Sequence, residues 1–249
     1  MSDGAPPLTR RVRWYHLVIA PLGSVLLSAL TGLVFAAWYM LAHHSRALAV
    51  LVHDFSFNIV VGLGQEGGLL ALSLWALARG RGDDLPARFR RPTWRDVALG
   101  VGIAIALMIG LGLFADACDA VLHTHLGEDA MRLPFRPTGL AQLPVAFLLI
   151  AIVAPLAEEL FFRGLLMGWL AHRGGRWFAL VGQALLFGLA HLKWVNPAGL
   201  DGALLTLELV VMGLVLGLVA WRSGNLWVSA TIHAVNNGAA VLMLFFLTP

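Results

Sequence analysis

Ionisable residues are rare inside the apolar runs of this sequence, and their densest group is the pair Glu158-Glu159 followed by Arg163. Adjacent residues on an α-helix point about 100° apart, because one turn takes about 3.6 residues. Glu158 and Glu159 are therefore expected to have different tasks. Glu159 and Arg163 lie four residues apart and share a helix face, where an ion pair would orient the Glu159 carboxylate. Glu158 would face a neighbouring cavity, where it could act as a general base.

Two histidines and an amide occur at matching depths in later apolar runs. His191 comes four residues after Phe187, and His233 comes four residues before Asn237, so both members of each pair share a helix face. Counted at about 1.5 Å per residue from the Arg-rich ends of the predicted spans, Glu158 lies about 18 Å deep, His191 about 21 Å and His233 about 10 Å. These depths allow the side chains to share one layer of a helical bundle.

Such a group of side chains suits the activation of water. Glu158, aided by His191, would take a proton from water, while His233 and Asn237 would donate hydrogen bonds to the oxyanion that forms from an amide carbonyl. The only cysteine, Cys118, lies outside the group, which argues against a thiol nucleophile. Glu158, His191 and His233 could instead hold a zinc ion that activates the water. The spacing does not decide between these two forms of peptide hydrolysis.

The elements that must position these residues follow from composition. The chain has 249 residues, of which 59% are hydrophobic and 12% charged, and its mean hydropathy is +0.81. Soluble domains have about 25% charged residues, so a soluble or disordered protein is excluded. The sequence predicts an all-α, polytopic transmembrane bundle with about seven spans, or eight. The candidate spans are 17–42, 55–78, 97–115, 143–170, 177–192, 203–221 and 226–247, and the short span 177–192 would have to borrow Gly174 and Gly175.

Arginine predicts the orientation and the division of the chain. The segments rich in Arg are 1–16, the linker 79–96 and 171–176, with Arg222 in a later turn. In a seven-span arrangement these segments share one side, and the positive-inside rule makes it the cytoplasmic side, with the loop 116–142 opposite. We therefore expect a cytoplasmic segment 1–16 and N-terminal membrane helices over 17–139, followed by membrane helices over 140–249 that contain the candidate site residues. Because the basic residues are scattered between apolar runs, membrane lipid is the expected partner and nucleic acid is not.

Two glycine patterns predict close helix packing. Gly164-x-x-x-Gly168 and Gly213-x-x-x-Gly217 each put small residues on one helix face, which lets two membrane helices approach closely. Trp177, Trp221 and Trp227 lie at predicted span ends, as expected for an interfacial aromatic belt.

Taken together, three motifs resemble a known family. Glu158-Glu159-x-x-x-Arg163, then Phe187-x-x-x-His191, then His233-x-x-x-Asn237 is similar to the pattern of the CPBP family of intramembrane proteases. This family includes the type II CAAX prenyl endopeptidases and the bacterial Abi and bacteriocin-immunity proteins. The resemblance covers roughly residues 140–245, and the earlier spans resemble the family only in hydrophobicity.

The resemblance implies roles for the residues in the three motifs. It makes Glu158 the catalytic base, His191 its partner on the water, and His233 with Asn237 the oxyanion hole. It makes Glu159 and Arg163 a structural ion pair, and it makes 140–249 the catalytic core. It also favours a glutamate-type protease without an essential metal, while zinc held by Glu158, His191 and His233 remains the alternative.

The substrate expected from the resemblance is a membrane-associated or lipidated protein or peptide. A non-proteolytic immunity or membrane-binding protein of the same family is the alternative function. A proton-coupled transporter would also use buried carboxylates, but no inverted repeat is visible in the sequence. With one Lys among 17 basic residues, the composition favours a GC-rich bacterial source, and the expected location is the cell membrane, spanned several times.

Overall fold

A computed structural model describes residues 12–43, 51, 53–80, 91–126, 139–192 and 199–247. The described residues form no β-strand, and six of their helical stretches are long and apolar enough to cross a membrane. These six are α1 (Trp14–His43), α2 (Phe55–Gly80), α3 (Trp94–Leu122), α4 (Leu140–Ala190), α5 (Gly199–Ser223) and α6 (Leu226–Phe246). The all-α, multi-pass membrane architecture expected from composition is thus confirmed.

The six stretches differ from the predicted spans in number and in length. The predicted span 143–170 falls within α4, a helical stretch of 51 residues, and the predicted span 177–192 falls within it up to Ala190. Gly175 interrupts this stretch with φ 74° and ψ −170°. A positive φ is open to glycine but costly for side chains that have a Cβ, so the backbone can turn here. We call residues 140–174 the first arm of α4 and residues 176–190 its second arm.

Helix α3 is longer than the predicted span 97–115 at both ends. It starts at Trp94 because Thr93 and Asp96 form a capping box, in which each side chain accepts a hydrogen bond from the backbone of the other. At the other end it continues to Leu122, so residues 116–122 of the predicted loop are helical. Charged residues such as Asp116 end a hydrophobic span but do not end a helix, which explains the difference.

The arms of α4 and the last two helices pack around a shared core. Small residues bring the second arm of α4 close to α5, since a Cβ on Gly213 would lie 3.0 Å from the Ala184 backbone. Gly188 similarly lies against Val210. The main core also includes Leu69 of α2. The packing expected of the second glycine pattern is therefore present at the interface between α4 and α5, the helices that carry part of the candidate site.

Arginine is concentrated at one end of the bundle, which we call the basic rim. Every described Arg except Arg163 lies at the helix ends, or at the Gly175 turn of α4, that form this rim. Neighbouring contacts join these ends: His16 lies 5.3 Å from Trp75 between ring centroids, and the Asn225 amide donates to Asp96 at 3.4 Å. Residues 1–11, 81–90 and 127–138, which belong to the predicted N-terminal segment, basic linker and outer loop, lie outside the described residues.

Candidate active site

The two glutamates lie between two widened turns of the first arm of α4. A π-helical segment, Leu148–Val153, precedes the short α-helical segment Ala154–Glu159, and a second π-helical segment, Leu160–Leu166, follows it. Pro155 has no backbone N–H and its ring crowds the preceding turn, which favours widening there. Widened turns of this kind redirect side chains, and here they bracket Glu158 and Glu159.

Glu159 and Arg163 form a fully buried ion pair. The Nη1 atom of Arg163 lies 2.8 Å from Oε1 of Glu159, and their side chains are 0% and 2% exposed. The Nη2 atom donates to the backbone oxygen of Gly213 at 3.3 Å. The guanidinium also lies 4.6 Å from the centroid of the Phe187 ring, an arrangement that favours a cation. The pair thus ties the first arm of α4 to α5.

His191 is fixed at the end of the second arm of α4. Its Nδ1 atom lies 2.8 Å from the backbone oxygen of Phe187. A carbonyl oxygen can only accept, so Nδ1 carries a proton and the Nε2 atom of the neutral ring is an acceptor. That Nε2 atom lies 3.7 Å from Oε2 of Glu158. The backbone of α4 therefore aims the basic nitrogen of His191 at Glu158.

His233 stands between the two glutamates. Its Nδ1 atom lies 3.2 Å from Oε1 of Glu159, and its Nε2 atom lies 3.8 Å from Oε2 of Glu158. The Glu159 carboxylate accepts a hydrogen bond from the Nδ1–H group, so this ring too is oriented by its Nδ1 atom with Nε2 directed at Glu158. The imidazole is 2% exposed and packs 5.7 Å from the Phe187 ring between centroids.

The Oε2 atom of Glu158 therefore faces two imidazole nitrogens across short gaps. Distances of 3.7 and 3.8 Å are too long for direct hydrogen bonds. The Oε2 atom is buried and makes no hydrogen bond to any described residue. A water molecule between polar groups at such distances can donate to more than one of them. Oε2 of Glu158 and the Nε2 atoms of His191 and His233 therefore converge at this gap.

Asn237 lies one turn after His233 on α6 and makes a backbone contact. Its Nδ2 atom donates to the backbone oxygen of Ile150, in the first π-helical segment, at 3.1 Å. A primary amide carries two N–H groups, and this hydrogen bond uses one of them. The contact fixes the Asn237 side chain against the arm that carries Glu158.

The structure adds supporting residues that sequence reasoning missed. Gln183 is completely buried and donates from Nε2 to the backbone oxygen of Gly213 at 2.8 Å. The same oxygen accepts from Arg163, so Gln183 and Arg163 are held at one carbonyl group. The Phe187 ring contacts both imidazoles and the guanidinium. The sequence signal for Gln183 was its position as a polar residue within an apolar run. The signal for Phe187 was its place as the first residue of the motif Phe187-x-x-x-His191.

The site contains side chains of the types that bind zinc. Two imidazole nitrogens and a carboxylate are ordinary zinc ligands. However, no group of three or more His, Cys, Asp or Glu side chains in the described part of the chain is placed to hold a metal ion. The residues fit zinc in type and not in arrangement, so we derive no step through a metal.

Buried carboxylates and imidazoles on the membrane-spanning helices of one bundle define a class, the multi-pass membrane proteins with an internal polar site. Residues 140–239 match the family model described as type II CAAX prenyl endopeptidase Rce1-like. The matched region contains all three motifs and about two-fifths of the chain, and the resemblance to CAAX-type membrane proteases is confirmed over that region. No curated protein and no solved structure matches the chain.

Proposed function

We propose that the protein is an intramembrane endopeptidase that hydrolyses a peptide bond in a membrane-associated or lipidated protein or peptide. One observation carries the proposal: Oε2 of Glu158 faces the Nε2 atoms of His191 and His233 at 3.7 and 3.8 Å. Both rings are held through Nδ1, which directs their Nε2 atoms at Oε2 of Glu158 across the gap between them. The family match over 140–239 supports the same reaction class.

In the proposed reaction, Glu158 and His191 activate a water molecule in this gap. The water donates one hydrogen bond to Oε2 of Glu158 and the other to Nε2 of His191. As the water oxygen attacks the carbonyl carbon, its proton passes to Glu158 and the carbonyl electrons move to the oxygen. Glu158 then gives the proton to the leaving nitrogen when the C–N bond breaks, which regenerates the carboxylate.

His233 and Asn237 are the proposed donors to the oxyanion. His233 can serve only when Nε2 carries a proton, which makes the ring an imidazolium because Nδ1 already donates to Glu159. Asn237 has a second N–H beyond the one bound to Ile150. Donors of this kind stabilise the transition state by about 2.7–4 kcal/mol each.

The remaining parts of the proposal concern the surroundings of the site. We propose that the protein lies in the cell membrane of a bacterium with its basic rim in the cytoplasm. The concentration of the described Arg residues at this rim supports the orientation through the positive-inside rule. No essential cofactor is part of the proposal.

The test uses the full chain in proteoliposomes with a panel of membrane-tethered reporter peptides. The sequences of the reporter peptides would be taken from the new termini that membrane proteins have in cells carrying the active protein. Glu158→Gln keeps the shape of the side chain and removes the base, so cleavage should fall by about 10²–10⁴-fold. Glu208→Gln is the matched control, because it neutralises a membrane carboxylate outside the three motifs. Equal cleavage by wild type and Glu158→Gln would refute the proposal.

A further inference from the structure

A second group of polar side chains lies at the turn between the two arms of α4. On one side of Gly175, the guanidinium carbon of Arg173 lies 3.5 Å from the centroid of the Trp169 ring. Its Nη1 atom also donates to the backbone oxygen of Trp169 at 3.3 Å. These contacts hold Arg173 over an indole at the surface of the basic rim, with Nη1 used by the backbone oxygen of Trp169.

The other side of the turn repeats this arrangement. The guanidinium carbon of Arg176 lies 5.3 Å from the Trp177 ring and 6.0 Å from the Trp221 ring of α5. A positive charge between two indoles is favourable, yet neither ring neutralises it. Two guanidinium groups within four residues thus share one short turn, without an ion pair to any described carboxylate. We call Trp169, Arg173, Arg176 and Trp177 the turn site.

Two donors of the turn site have no acceptor in the described part of the chain. The Nε1 atom of Trp169 and the Nε atom of Arg176 are buried, and neither makes a hydrogen bond to a described residue. A buried donor without an acceptor destabilises the folded protein. Both groups can donate but not accept. A partner for either group must therefore be an acceptor, and the two nearby guanidinium groups favour an anionic one.

The surface beside these donors indicates the form of that anion. Trp177 is 69% exposed and Phe178 is 51% exposed, and both follow Arg176 on a helix that enters the apolar layer. Lipid chains would cover such side chains, whereas a free anion would leave them uncovered. Phosphate oxygens match the forked donors of a guanidinium group. A phosphate that carries acyl chains satisfies the charge, the donors and the apolar surface together.

We propose that the turn site binds the phosphodiester group of an anionic glycerophospholipid, with its acyl chains along Trp177 and Phe178. The proposal does not depend on the proteolytic function, since none of these side chains takes part in the proposed reaction. The turn joins the arm that carries Glu158 to the arm that ends at His191, so a bound lipid would hold the two arms in a fixed arrangement.

The test measures the thermal stability of the full chain in a neutral detergent during titration with lipid. The probes are phosphatidylglycerol, phosphatidylcholine with the same acyl chains, and inorganic phosphate. A ligand that binds only the folded state raises Tm in proportion to its occupancy. Phosphatidylglycerol should raise the Tm of the wild type well above the effect of the other two probes.

Two double variants separate the turn site from general surface charge. Arg173→Gln with Arg176→Gln should weaken the apparent affinity for phosphatidylglycerol by about 10-fold or more, since a charge-assisted hydrogen bond contributes about 1.5–3 kcal/mol. Arg91→Gln with Arg95→Gln removes the same charge from exposed positions of the same rim and should change the affinity by less than about 3-fold.

Three results would overturn the proposal. Equal weakening by the two double variants would mean that the rim attracts anionic lipid only through its overall charge. An equal Tm increase with phosphatidylcholine would mean that the acyl chains alone are responsible. An equal increase with inorganic phosphate would mean that the site takes a free anion rather than a lipid.

Discussion

The two glutamates of the site are neighbours in sequence, yet they belong to halves of different character. In the closed half, Glu159 and Arg163 are 2% and 0% exposed and lie 2.8 Å apart. In the open half, Glu158 and His191 are 13% and 22% exposed and lie 3.7 Å apart. His233 contacts both halves, through Nδ1 on the closed side and Nε2 on the open side.

The difference separates positioning from chemistry. The oxygen of Glu159 that faces Arg163 also faces His233, and protein surrounds the whole group, so little room is left for substrate. Glu158 has a buried oxygen that makes no hydrogen bond to a described residue. This network fixes the orientation of His233 on the closed side, while the open side is the proposed place of the water and the peptide. Changes in the closed half should therefore act mainly on stability, and changes in the open half mainly on activity.

The largest expected effect on stability comes from breaking the closed half. Arg163→Met removes the cation and leaves the buried Glu159 carboxylate beside His233 and Ser229. Removal of one member of a buried ion pair costs about 3–5 kcal/mol. We expect a large decrease in Tm, measured by intrinsic fluorescence of the purified protein in detergent.

The double variant Glu159→Leu with Arg163→Met serves as the control for this change. It removes both charges, so it should recover part of the stability that Arg163→Met loses. If the loss of stability in the double variant equalled the sum of two independent losses, it would be less stable than Arg163→Met. That result would contradict the view that Glu159 and Arg163 are a coupled pair.

Much of the difference between the two halves could be predicted from the sequence, because the spacing of residues along one helix determines which side chains meet. Glu159 and Arg163 are four residues apart, and a helix brings such residues together whatever surrounds them. The choice of Glu158, His191 and His233 followed from the cost of placing ionisable groups in a membrane, which leaves few of them to consider. The apolar runs likewise predicted the helices, although a span with charged ends does not reveal where its helix stops.

What sequence could not predict depends on contacts between helices. The Nδ1 partner of His191 is a backbone oxygen on its own helix, but the direction of Nε2 matters only because Glu158 lies opposite. Gln183 gains its role from the backbone oxygen of Gly213 on another helix. The widened turns around Glu158 arise from packing and from Pro155, and no local pattern of side chains specifies where they begin.

A smaller effect on stability and a large one on activity are expected in the open half. His191→Ala removes the second acceptor for water, so cleavage of a reporter peptide should fall by about 10²-fold. The side chain is 22% exposed, so Tm should change far less than in Arg163→Met. His172→Ala, an exposed histidine on the same helix, should leave both quantities unchanged. Full biological activity in His191→Ala would instead favour the non-proteolytic immunity or binding protein.

The smallest expected effect is that of metal removal. This experiment distinguishes an open half that activates water directly from one whose side chains bind a metal ion. A zinc ion bound at about 2.0–2.1 Å to nitrogen and oxygen would hold its ligands on the order of 3.3 Å apart. The separations from Glu158 to His191 and His233 are 3.7 and 3.8 Å, and we expect direct activation of water. Treatment with a strong chelator should therefore leave the rate of reporter cleavage unchanged. Inactivation that added zinc reverses would assign Glu158, His191 and His233 to a metal, and the gap between the halves would then be an ion site.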